Sequence, residues 1–459
     1  MSTRRERLVE RWIIIGVLAL LVWLPLPLGS NRPWSAALLV LAVGVLLGLW
    51  GLRLVRGSAG HSHRGLVAAW PLVGLLVAAQ GWVGVQYFAG LTVDSGATLR
   101  ALALGLAYTG LFVLVTDMFS TRKRLTLLLG ALVVSGTLQA FYGALLVLTD
   151  FESLRIGPPS RDLVTGSYVN RNHLAGYLAM ILSVGIGLML ALRSERTFRW
   201  HHLPGILIGP KAWIRLGLII MVIALVMTRS RMGNMAFFSS LLVMGGFFTL
   251  VTPGHRLRNG LILASVLVID MLVISQWFGL DELRQRLAET RFADEVAVVA
   301  DGEGGEQAVI LRRENVIRDD VLIYALPQII ERPIAGFGAG SFETSFQRFP
   351  GRDVTRLFDH AHNDLVEFAI GFGGIGVIPL AAFVLLAFAR ALSPVIRGQS
   401  VYRSGVGLGA AMGILALMIH SLADFNLQIP ANAATFVVLC AVAVLAGAHH
   451  RGHRRRKRN

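Results

Sequence analysis

Long apolar runs without a single charge limit this chain more than any other feature. Ile13 to Leu28, Ala101 to Val115 and Leu216 to Met227 are three of them. A helix crossing the ~30 Å hydrocarbon core of a bilayer needs about 20 mostly apolar residues, because each rises ~1.5 Å. By that length criterion the chain is expected to cross a membrane about twelve times. The spans fall near 12–29, 34–54, 65–88, 98–117, 124–148, 172–193, 211–228, 232–252, 258–278, 364–389, 404–420 and 430–448. Composition agrees, since 15% of the 459 residues are charged, against about 25% in soluble domains. The expected fold class is an all-α polytopic membrane protein.

The net charge of +16 first suggests a nucleic-acid partner, but the placement of the bases argues for membrane topology instead. Most Lys and Arg lie at the N-terminus, in alternate loops and in the tail Arg451 to Arg458. Such bias in short loops marks the cytoplasmic side. Both termini are therefore expected in the cytoplasm, with the basic tail touching anionic membrane lipids. The first run follows Arg4, Arg5, Arg7 and Arg11, is long and lacks a small-x-small cleavage pattern, so it reads as a retained helix. The one cysteine, Cys440, excludes an intrachain disulfide. Four stretches follow from this reading: nine helices in 1–278, a periplasmic loop with amphipathic helices in 279–363, three helices in 364–448 and a cytoplasmic tail in 449–459.

With that topology the unusual polar clusters all face the periplasm. Thr165 to His173 precedes the sixth span and contains Asn170, Asn172 and His173. It is either a helix-capping entry loop or a polar rim for sugar or phosphate. Arg229 and Arg231 sit in the tight turn between the seventh and eighth spans. Guanidinium groups there suit a lipid diphosphate, which they bind in forked, charge-assisted pairs. A loop of about eighty residues, Phe278 to Asp359, is far longer than a usual connector. Within it Val316, Ile317, Val321, Tyr324, Leu326, Ile329 and Ile330 approximate a helical stripe, interrupted by Pro327 and closed by Pro333. Arg312, Arg313 and Arg318 open that helix, and Gly336 to Gly340 is expected to make a sharp turn.

His360, His362, Asn363 and Asp364 open the tenth span. Without a Cys or third His nearby they are poor metal ligands. A histidine at the membrane surface suits a general base, with Asp364 or Glu367 to orient it. Asp270 falls inside the ninth span, where a charge is functional by default or is paired with a neighbouring Arg. His420, Asp424, Asn426 and Gln428 form a polar turn between the last two spans. That turn is a connector or a substrate contact.

These residues together resemble the O-antigen ligase and polymerase superfamily of bacterial envelope glycosyltransferases. His362-Asn363, nine residues, then Gly373-Gly374-Ile375-Gly376 fits the histidine motif of the family's ligases. Ser230-Arg231 resembles its Ser-Arg-Gly turn, with Met232 inserted before Gly233. Thr165 to His173 resembles the Gly-aromatic-Asn-x-Asn-His element. Arg318 and Arg332 to Gly338 resemble the stretch ahead of the histidine, without its usual tryptophan. The likeness spans roughly 160 to 430.

The resemblance implies a GT-C-like glycosyltransferase that uses no metal or other cofactor. Its donor would be a glycan on undecaprenyl diphosphate and its acceptor lipid A–core. On that basis Arg231 and Arg318 are expected to stabilise the leaving diphosphate, since fixed positive charge is usually the largest catalytic contribution. His362 would take the acceptor proton in a single inverting displacement. Arg229, Asn170, Asn172, His173, Arg312, His360, Asn363 and Asp424 are expected to contact substrate. Alternatives are a polymerase extending a glycan acceptor, a protein O-oligosaccharyltransferase, and a lipid-linked glycan transporter. A transporter would carry polar residues through the bilayer midplane, where only Asp270 clearly qualifies.

Overall fold

We describe residues 4–55, 63–149, 153, 156, 163–192, 209–252, 295–300, 306–311, 314–349, 357–398 and 400–448 of a computed structural model, leaving aside the side chains of 4–7, 210 and 295–320. In chain order the helices are α1 (Arg4–Trp23), α2 (Pro33–Val55), α3 (Arg64–Phe88), α4 (Ser95–Met118), α5 (Arg122–Thr149), α6 (Arg171–Ala191), α7 (Pro210–Met227) and α8 (Arg231–Val251). A short antiparallel hairpin, β1 (Glu295–Ala300) with β2 (Glu306–Leu311), pairs Glu295 opposite Leu311 and departs from the all-helical expectation. Then come α9 (Glu314–Glu331), α10 (Phe342–Phe346), α11 (Asp364–Ile396), α12 (Val401–His420) and α13 (Pro430–Gly447).

Among the described residues nine helices are long and apolar enough to cross a membrane: α2 to α6, α8, α11, α12 and α13. The chain is thus a polytopic membrane protein. Two further expected spans coincide with α1 and α7, and the span at 258–278, with Asp270, lies outside the described residues. The first helix stops at Trp23 rather than near residue 29. Pro25 and Pro27 lack the N–H a helix needs, and Leu28, Gly29 and Ser30 turn the chain through left-handed backbone (φ 58°, 69° and 57°).

The centre of the bundle is α6, α12 and α13, enclosed along most of their lengths. Small residues let backbones approach there, as is usual between membrane helices. A Cβ on Gly187 of α6 would lie 2.6 Å from the Gly405 carbonyl and from Gly409 Cα of α12. At one end Glu10 joins Arg53 (3.5 Å) and Arg124, while Asp117 accepts from Trp50 Nε1 (2.8 Å). Those contacts tie α1, α2, α4 and α5 together.

Between α10 and α11 the apolar residues Val321, Ala325, Phe337, Phe342, Phe346, Ala361 and Ile370 form a second, smaller core. Only part of the expected stripe on α9 faces it. Leu326 and Ile330 are exposed, as are Ile323 and the nearby Ile334, so α9 presents apolar surface on two sides. Exposed apolar area of that kind marks a lipid or partner surface.

The glycine turn after α9 docks into a break in α11. Gly373 leaves the helix (φ 61°, ψ −178°), which frees carbonyls before it and N–H groups after it. Each buried polar group needs a partner. Phe337 N donates to Ile370 O (2.8 Å), Gly338 N to Gly371 O (3.1 Å), and Trp82 Nε1 to Phe372 O (2.7 Å). Beyond the break Gly374 N donates to Pro333 O (2.8 Å) and Ile375 N to Ile334 O (3.3 Å). Gln86 of α3 seals the joint, donating to Ala335 O (2.7 Å) and Gly371 O (2.9 Å) and accepting from Ala339 N (3.2 Å).

Candidate functional site

Helices α6, α8, α11 and α13 begin at one end of the bundle, where α7 and α12 finish. Asn432 Nδ2 of α13 donates to His173 O at the start of α6 (2.9 Å). Asp364 N of α11 donates to Ser421 O and Asp424 O just past α12 (3.0 and 3.2 Å). A Cβ on Gly233 of α8 would meet Ala175 of α6 and His420 of α12. Helix N-termini carry free N–H groups and partial positive charge, so this end favours anions.

Capping residues account for much of the polar sequence here. Asn170 caps α6 by accepting from Asn172 N (2.8 Å). Ser230 caps α8 through Gly233 N (3.2 Å). Asn363 caps α11 through Leu365 N and Val366 N (3.0 and 3.2 Å), and its Nδ2 donates to Leu422 O (2.8 Å). Arg229, between the caps of α7 and α8, and Arg231, the first residue of α8, are exposed, and Arg229 is held at φ 52°.

His362 also has left-handed backbone, at φ 52°. For a residue other than glycine or asparagine that conformation costs roughly 1–2 kcal/mol, and such strain collects at functional sites. The surrounding contacts impose it. Ala361 N donates to Glu367 Oε2 (3.1 Å) on one side, and Asn363 and Asp364 are bonded to the 421–427 loop on the other. Buried Asp364 accepts from Ser421 Oγ (2.7 Å) and from Leu427 N (3.2 and 3.0 Å).

Glu367 orients His360, and His362 is not its partner. His360 Nδ1 lies 2.8 Å from Glu367 Oε1. Burial works against the charged imidazole, but Glu367, Asp359 and Asp364 outweigh it, so His360 titrates above the ordinary histidine value. The His360 ring stacks on Phe425 (4.1 Å, 20°), and the His362 ring meets Phe425 edge-on (5.0 Å, 67°).

Beneath Phe425 lies a closed polar cluster. Asp424 is 1% exposed, His173 5% and His420 0%. His173 Nε2 is 3.6 Å from Asp424 Oδ1, and His420 Nε2 is 3.9 Å from Oδ2. Burial alone would raise the Asp424 pKa, but the two imidazoles and the Phe425 N–H (2.8 Å) hold the carboxyl well below its usual range. His173 Nε2, both His420 nitrogens, Asp424 Oδ2 and Asn426 Nδ2 have no hydrogen-bond partner among the described residues.

The structure therefore gathers His173, Asn170, Asn172, Arg229, Arg231, His360, His362, Asn363 and Asp424 at one end. His173 and Asp424 lie under its surface, where the sequence reading expected direct contact with substrate. The backbone of Arg318 lies on α9 with its side chain outside the described set, and Arg312 lies outside it entirely. No group of three or more His, Cys, Asp and Glu among the described residues is arranged to hold a metal ion. Sequence reasoning passed over Phe425, whose contact with three histidines becomes visible only when α6, α11 and α12 are brought together. It left Glu367 without a definite partner, although the spacing from His360 to Glu367 placed both at the start of one helix.

Residues 216–381, running from α7 through the histidine motif into α11, match the family model described as O-antigen ligase. No curated protein matches the chain.

Proposed function

We propose that this chain, similar over residues 216–381 to the O-antigen ligase family, transfers a glycan from undecaprenyl diphosphate to lipid A–core on the periplasmic face of the bacterial inner membrane. The observation that carries the reading is the meeting of two chemistries at one end of the bundle. Exposed arginines and helix N-termini suit a diphosphate, and the histidine pair beside them suits a hydroxyl.

As the sugar leaves, charge develops on the bridging oxygen of the diphosphate. Arg231, with Arg229 beside it and Arg318 on α9, supplies fixed positive charge for that oxygen. His362 takes the proton of the acceptor hydroxyl as its oxygen attacks the anomeric carbon, a contribution of typically about 10²–10⁴-fold. One bond forms as the opposite one breaks, so the configuration inverts and the products are the extended acceptor and undecaprenyl diphosphate. The bias of Lys and Arg toward the other loops supports the periplasmic placement.

Purified protein in lipid nanodiscs, given the lipid-linked glycan and lipid A–core, tests the reading directly. Glycan on lipid A–core, lost in His362→Asn, is the expected result. A ladder of longer lipid-linked glycan with bare core would instead identify a polymerase. No transfer of either kind would overturn the ligase reading and favour a protein acceptor or a lipid-linked glycan transporter.

A further inference from the structure

Phe425 stands between two sets of titratable groups. On its outer side His360 stacks against the ring at 4.1 Å and 20°, and His362 approaches at 5.0 Å and 67°. On its inner side His173 meets it edge-on at 4.6 Å and 73°. The ring is 7% exposed, and its own N–H is fixed on Asp424 Oδ1 at 2.8 Å. Asp424 is in turn held between His173 and His420, and its carbonyl accepts from Asp364 N. One aromatic ring thus touches three histidines from two different parts of the chain.

We propose that Phe425 is a positioning residue: its ring is the platform on which His360 and His362 are set, and the buried Asp424 is the anchor of that platform. The inference deepens the proposed transfer reaction and rests on it only for the role of the histidines. A ring face is negative and attracts an imidazolium stacked on it. Stacking therefore holds His360 in place and favours its charged form. Among the described residues, the charged or titratable neighbours of His360 bear on that equilibrium: Glu367 and Asp364 on α11, Asp359 and His362 on its own loop, and Asp424 and His173 beyond the ring. Of these only the ring contact is removed by an aliphatic substitution at Phe425. The anchor also accounts for an acid that is almost wholly buried. Asp424 fixes the backbone N–H of the residue carrying the platform, and His173 and His420 flank its buried carboxyl at 3.6 and 3.9 Å.

The test is a histidine titration in the intact protein. Protein labelled with ¹³C,¹⁵N-histidine is placed in nanodiscs, and the His360 ring resonance is assigned by its loss in His360→Gln. It is followed between about pH 5 and 8. In Phe425→Leu the His360 midpoint is expected to fall by about half a pH unit, the size of an ion–ring contact. Phe425→Trp should restore it, because indole offers the stronger face. Should the leucine variant fail to assemble, Phe425→Met gives a second apolar probe without an aromatic ring. An unmoved His360 midpoint in a folded Leu or Met variant overturns the proposal, and so does an equal fall in Phe425→Trp. Because the titration needs neither donor nor acceptor, it separates this proposal from the reaction. A midpoint that responds in protein unable to transfer glycan supports the platform while sinking the proposed transfer.

Discussion

Glu367 reaches back seven residues to His360, placing its Oε1 2.8 Å from the imidazole Nδ1, while its Oε2 takes the Ala361 N–H. The folded state therefore prefers a charged His360. Its pKa lies above 6.5, the ordinary value. Stability from this pair is fully present below that ordinary value and is lost as pH rises through the higher folded-state one. Glu367→Gln keeps the shape and removes the charge. Its thermal midpoint should trail the wild type most below about pH 6.5, by the equivalent of ~1.5–3 kcal/mol, with the gap narrowing as pH rises. A constant gap at all pH values would deny the ion pair.

His362 sits where asparagine, but not alanine, tolerates the backbone. His362→Asn is expected to fold normally, because asparagine adopts left-handed φ readily. Transfer should drop by about 10²–10⁴-fold with little change in donor KM. Retained turnover in a folded His362→Asn protein would remove His362 from the chemistry.

Arg231 and Arg229 share a turn but differ in expected cost. Arg231→Ala should lower kcat by roughly 10²–10³, as loss of a group stabilising transition-state charge does. Arg231→Lys should recover part of that loss, since lysine keeps the charge without the fork. Steady-state transfer kinetics on the two variants check the order alanine below lysine below wild type.

Asp364 joins the start of α11 to the 421–427 loop. Asp364→Ala would leave the Ser421 hydroxyl and the Leu427 N–H buried without an acceptor, at ~1–3 kcal/mol each. A fall in thermal midpoint with faster hydrogen exchange across 421–429 is expected. Exchange unchanged in that segment would show that other contacts hold the loop.

Two left-handed glycines separate backbone strain from crowding. Gly398 has φ 55° with nothing near its missing Cβ, whereas Gly373 at φ 61° would place a Cβ 2.4 Å from Ile334 O and 2.5 Å from Gly336 N. Gly398→Ala should cost roughly 1–2 kcal/mol. Gly373→Ala must also break the joint and is expected to abolish stable protein. Comparable melting curves for the two would refute the close packing.

Most spans were legible because uncharged runs of bilayer length have few other uses. The family resemblance was legible for a related reason. His362, Asn363 and Gly373 sit at fixed offsets along one segment, so their spacing survives in one dimension. What remained hidden depends on separate segments meeting. Nothing in the row His360 to Glu367 says which histidine the acid reaches, because the left-handed turn at His362 redirects the chain between them. Asn170 and Asn363 looked like substrate contacts and act as caps, a use that the same residue types serve equally well. Leu326 and Ile330 were read into a single helical stripe with Val321 but face away from the small core, since periodicity reports apolar faces without saying what covers them.

The joint at Gln86 has a consequence for how the chain is made. Gln86 leaves the ribosome about 250 residues before Gly336 to Ala339, at ~5–20 residues per second. Until the later segment arrives, its amide has none of the three backbone partners it holds at the end. An unsatisfied amide in hydrocarbon is costly, so α3 waits in the membrane as an incomplete part. A chain truncated before residue 335 would retain that defect permanently, giving the cell's quality-control proteases a physical mark by which to recognise unfinished copies.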